Sequence, residues 1–132
     1  MKEEIENYVS DWYWDDESKA NCFEIGKFLF GFIAYLESQN MSERTLKNHK
    51  ENAYLIGRFE AGYGFNDNFS PEDLTDGPEY VYEFERKVSD SKYAIKLYES
   101  TWRKLDKYIK TGAYEEYTEL INTQLKAESQ EK

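Results

Sequence analysis

Apolar residues recur along this chain at the three-to-four-residue spacing of helices, and no segment shows the strict alternation of a half-buried strand. Ile5, Tyr8, Val9 and Trp12 form one such face and predict a short first helix ending near Tyr13. The run Asp15, Asp16, Glu17, Ser18 suits a helix start, because a serine hydroxyl caps free backbone N–H groups and carboxylates favour the positive end of the helix dipole. The helix that follows, from about Lys19 to Glu37, is apolar round most of its circumference, which predicts a place at the centre of a bundle. Ser42 is a cap for the next, which runs to about Glu60 with Leu46, Ala53, Ile56 and Phe59 inward.

The segment from Ala61 to Phe69, holding Gly62, Gly64 and the run Asn66, Asp67, Asn68, reads as a loop. Ser70-Pro71-Glu72-Asp73 combines a cap, a proline at the first helical position and early acids, so a further helix starts there. Gly77-Pro78 breaks that turn and opens another helix ending near Val88. The next, from about Asp90 to Lys110, stops before Gly112, and a last one covers Tyr114 to Leu125. The tail from Ala127 to Lys132 should fray. With no repeat and no heptad run, the pattern predicts an all-α fold: a compact bundle of five or six helices forming one domain over residues 1–126.

Composition supports a packed core. A chain of 132 residues can bury about two-thirds of its unfolded surface. The 12 Tyr, 8 Phe and 3 Trp supply apolar bodies that disordered acidic chains lack, so the net charge of −10 does not imply disorder. The longest apolar stretch, Phe28 to Leu36, is too short to span a bilayer and is flanked by Glu24, Lys27 and Glu37. The opening MKEEIENYVSDW lacks the basic and apolar regions of a signal peptide, so a cytoplasmic location is expected. Cys22, the only cysteine, reads as a small buried apolar residue.

Charge is spread unevenly. Residues 59–85 hold eight acids and no Lys or Arg, whereas residues 86–110 hold eight basic residues against three acids. Placed at helical angles, Lys92, Lys96, Arg103, Lys107 and Lys110 fall within roughly 60° of one another, opposite Ala94, Tyr98, Trp102, Leu105, Tyr108 and Ile109. On the Ser42 helix the same projection gathers Arg44, Lys47, Lys50 and Arg58, with Tyr54 among them and Glu51 interrupting. These stripes read either as solvated faces neutralised by nearby acidic segments or as a phosphate-contacting surface on two helices.

The same two helices carry a family resemblance. The run FIAYLESQNMSERTLKNHK, then SPEDL, then KVSDSKYAIKLYESTWRKLDKYI, resembles the SAM-like core-binding domain found at the N-terminus of phage integrases and other tyrosine recombinases. The likeness covers roughly residues 28–110 and lies in helix starts and apolar spacings. It implies a detached module that clamps DNA without strand-transfer chemistry, with contact roles for Arg44, Lys47, Lys50, Lys92, Lys96 and Arg103. With Arg58, Lys107 and Lys110 from the same faces, these residues would bind duplex DNA weakly and in a salt-sensitive way.

Candidate chemistry is sparse. His49 is the only histidine and projects near Ala53 and Ile56, on the inner side of its helix, which favours a structural role over a catalytic one. The acid runs Asp15-Asp16-Glu17 and Glu115-Glu116 lack the glycine and spaced acids of a calcium loop, so no metal site and no cofactor is expected. Gly62-Tyr63-Gly64 has neither a preceding strand nor a following Lys-Ser or Lys-Thr, and reads as a helix terminator. No nucleophile, base and oxyanion group can be assembled, so no enzyme is expected. The alternative to DNA contact is a protein-interaction module using the acidic surfaces of residues 1–17 and 59–85 with Trp12 and Trp14, of which Trp12 better suits the core.

Overall fold

The computed structural model describes residues 1–64 and 68–130. Its elements are α1 (Lys2–Tyr8), α2 (Asp16–Ser38), α3 (Glu43–Tyr63), a 3-10 turn (Pro71–Leu74), α4 (Val81–Lys87), α5 (Lys92–Lys110) and α6 (Ala113–Gln130). No strand occurs among the described residues, and the all-α bundle of six helices agrees with the apolar periodicity.

Three of the helix starts are set by side-chain caps. Ser42 Oγ accepts the Thr45 N–H at 3.2 Å, and Ser91 Oγ accepts the Ala94 N–H at 3.1 Å. α2 begins earlier than its apolar run suggests, because the cap is the Asp15 carboxylate, which accepts the Ser18 N–H at 2.7 Å. Ser18, read from the sequence as the cap, sits inside the first turn. α1 is shorter than its apolar face: it ends at Tyr8, and the Trp12 N–H donating to the Val9 carbonyl at 2.9 Å keeps Trp12 on the core side through a turn.

The ends also differ from the sequence expectation. α3 runs on to Tyr63, so Ala61 to Tyr63 are helical rather than loop, and the Gly64 N–H closes the last turn on the Glu60 carbonyl at 2.9 Å. Asn66 and Asp67 of the expected loop lie outside the described residues. The Ser70-Pro71 start yields only a four-residue 3-10 turn. α4 starts at Val81, after Tyr80 in a left-handed conformation with φ 63°. α6 continues past Leu125 to Gln130, through part of the segment expected to fray, because Glu128 reaches the far end of the chain and accepts the Lys2 N–H at 3.1 Å.

α2 is the central element, packing on α1, α3 and α6. Its buried residues, Cys22, Ile25, Phe28, Leu29, Phe32 and Leu36 among them, point in several directions, as an almost wholly apolar helix requires. The aromatics form three groups: Tyr8, Trp12, Phe30 and Tyr54 meet edge to face, Phe28, Phe32, Tyr35, Tyr114 and Tyr117 surround Tyr108, and Phe59, Tyr63, Tyr80, Phe84, Tyr98 and Trp102 make a third set between α3, α4 and α5. Two glycines permit close approach. A Cβ on Gly57 would collide with the Trp12 ring and Leu29, and one on Gly77 would collide with the Trp102 ring. Among the described residues no helix is long and apolar enough to cross a membrane.

Candidate nucleic-acid interface

α3 and α5 are locked together through Thr101. Its hydroxyl lies 3.1 Å from the Leu97 carbonyl, 2.7 Å from His49 Nδ1 and 3.2 Å from Asn52 Nδ2. A hydroxyl has one hydrogen to give, so the set is satisfied when Thr101 donates to Leu97 and accepts from both Asn52 and a protonated Nδ1. Burial, with the charge of Lys104 adding to it, holds the His49 imidazole below its ordinary pKa and so in the neutral form. His49 and Asn52 are buried, in agreement with a structural histidine on the inner face of its helix.

With the inner faces joined, the outer faces are left to water. Arg44, Lys47 and Arg58 on α3 are exposed, as are Lys92, Lys96, Arg103, Lys107 and Lys110 on α5. Lys50 is the half-buried member of the set and pairs with Glu37 of α2 at 3.2 Å. Lys110 pairs with Asp76 at 2.5 Å and with Asp106 at 3.2 Å, so it closes the end of α5 against the 76–80 segment. Arg44, Lys47, Arg58, Lys92, Lys96, Arg103 and Lys107 make no ion pair among the described residues. The cations of the α5 stripe are solvent-exposed as their angular positions predict, whereas on α3 Lys50 and Tyr54 are half-buried, with Tyr54 packed on Tyr8 and Trp12. Angular position alone cannot separate the cations tied to acids of other elements from those left open.

The two tryptophans named for protein contact part company. Trp12 is 4% exposed, its ring packed on Tyr8 and Tyr54 and over Gly57, so it belongs to the core and reaches the surface only as a small part of a groove wall. Trp14 is 70% exposed. It borders a groove of about 490 Å³ whose lining includes Leu55, Arg58, Tyr63, Lys87 and Val88. The Lys87 ammonium lies 5.1 Å above the centre of the Tyr63 ring and donates to its hydroxyl. The groove brings together residues 11–14, 55–63 and 87–88, three segments with no common local signal in the sequence.

Other candidate chemistry does not converge. No group of three or more His, Cys, Asp and Glu is placed to hold a metal among the described residues. The Cys22 thiol is buried, and burial foremost, with Asp15 nearby, pushes its pKa up to about 11. No family model matches the chain, and no curated protein or solved structure matches it either.

Proposed function

We propose that this chain is a non-catalytic helical module that contacts duplex DNA through the outer faces of α3 and α5. The observation that carries the reading is the set of seven exposed cations that make no ion pair among the described residues, held on two helices whose inner faces are locked by the His49, Asn52 and Thr101 contacts. In a chain with 27 acids against 17 Lys and Arg, neutralisation would be the expected fate of such faces. Among the described residues, only Lys50 and Lys110 of the two stripes meet it. Phosphates are the ligand that a spaced row of cations suits. The resemblance of residues 28–110 to recombinase core-binding domains supports the same surface. Net charge −10 opposes long-range approach to DNA, so binding is weak and favoured by low salt. Titration of a labelled duplex at low ionic strength, read by fluorescence anisotropy, tests the reading. Binding that disappears in a Lys92→Glu, Lys96→Glu, Arg103→Glu variant supports it, and absence of wild-type binding refutes it.

The competing reading is a protein-interaction module, and the exposure of Trp14 favours it. On that reading a partner would cover Trp14 together with the acidic segments 1–17 and 59–85.

A further inference from the structure

We propose that the Trp14 groove seats an unpaired nucleobase of the DNA held by α3 and α5, with the indole as stacking platform and Arg58 and Lys87 on the flanking phosphates. The inference rests on the DNA reading above and specifies it: the ligand carries a single-stranded segment next to its duplex.

Four features of the groove point this way. Trp14 presents most of its ring to water, and a large exposed indole offers a π face that any base can stack on. The space of about 490 Å³ falls within the roughly 300–1,000 Å³ of small-ligand sites, so a base with its sugar fits. Two cations line it, and they are placed differently: Lys87 is held by the Tyr63 ring and hydroxyl, whereas Arg58 makes no ion pair among the described residues. Arg58 also belongs to the exposed face of α3, so the groove is continuous with the cationic surface through a shared residue.

Asp11 is the carboxylate in the lining among the described residues. It offers an acceptor to the ring or exocyclic N–H groups of a base. An acidic peptide, the other ligand that two cations and an indole suit, would set its carboxylates against Asp11.

The test compares a blunt duplex with the same duplex bearing a single-stranded dT extension, at low salt. Stacking of one base is worth about 1–3 kcal/mol, so the extended DNA should bind roughly 5- to 150-fold more tightly. Trp14→Ala should remove that advantage and leave blunt-duplex affinity and the melting temperature unchanged. Because Trp102 is buried and Trp12 contributes only a small part of the groove wall, most of the quenching of the tryptophan emission by the extended DNA should be lost in the same variant. Equal affinity for both DNAs, or an extension advantage that survives Trp14→Ala, overturns the groove assignment while blunt binding keeps the DNA reading. Failure to bind either DNA overturns both. Quenching of Trp14 by an acidic, Phe-containing peptide but not by the oligonucleotide overturns it in favour of a protein partner.

Discussion

The His49 ring on α3 and the Thr101 hydroxyl on α5 meet at 2.7 Å in a buried contact that a neutral imidazole carrying its hydrogen on Nδ1 satisfies. The contact turns the outer faces of both helices to solvent. Burial of the ring, with the charge of Lys104, also makes folding sensitive to acid. The folded-state pKa of His49 lies below the ordinary 6.5, so the folded chain resists the proton that the unfolded chain accepts.

The sign follows from that shift. His49 contributes stability that is fully present above about pH 6.5, and that is lost as pH falls toward and through its lower folded-state pKa. Urea unfolding of the wild type and of His49→Gln at neutral pH and at pH about 5 should show a steeper loss in the wild type. Parallel losses in the two proteins would mean that carboxylates alone set the acid response. Thr101→Val should destabilise at every pH, by about 1–3 kcal/mol for each buried polar group it strands.

Trp102 is fully buried beneath Gly77, on the face of α5 that also carries Tyr98, Leu105 and Ile109. Trp102→Ala should cost about 3–5 kcal/mol, measured by chemical denaturation, and bring a domain of this size close to unfolding. Gly77→Ala should also lower the melting temperature, because the added methyl enters the indole. A Gly77→Ala protein as stable as the wild type would show that the 76–80 segment moves freely off α5.

Cys22 should be chemically quiet. The thiolate is the reactive form, and a thiol both buried and raised to about pKa 11 supplies little of it near pH 8. Reaction with a thiol-specific disulfide reagent should be slow in the native protein and fast in denaturant. Rapid native labelling would place Cys22 at an opening of α2 that the folded structure does not show.

DNA affinity should depend steeply on salt. If about five of the seven open cations neutralise phosphates, the logarithmic salt slope is about −4.5, and affinity falls roughly 500-fold between about 50 and 200 mM salt. Anisotropy titrations at several salt concentrations measure the slope. Lys50 and Lys110 are already committed to Glu37, Asp76 and Asp106, so replacing either by Gln should change the slope less than replacing Lys96 or Arg103. Equal effects from all four would remove the distinction between open and paired cations.

Much of the fold and part of the candidate site are legible in the sequence, because helices announce themselves locally. A period near 3.6 in the apolar residues marks which face turns inward, and Ser42 is a local signal of where a helix starts. The same local logic separates the basic stripe of α5 from Tyr98, Trp102 and Leu105, since both are determined by position on one helix. It fails where a residue's partner lies far along the chain. Gln130 remains helical because Glu128 meets Lys2, Lys50 and Lys110 lose their freedom to Glu37 and Asp76, and Trp14 becomes the wall of a groove only when residues 55–63 and 87–88 are brought beside it. These are contacts between elements, and the energy that decides them depends on distances that neither composition nor periodicity contains.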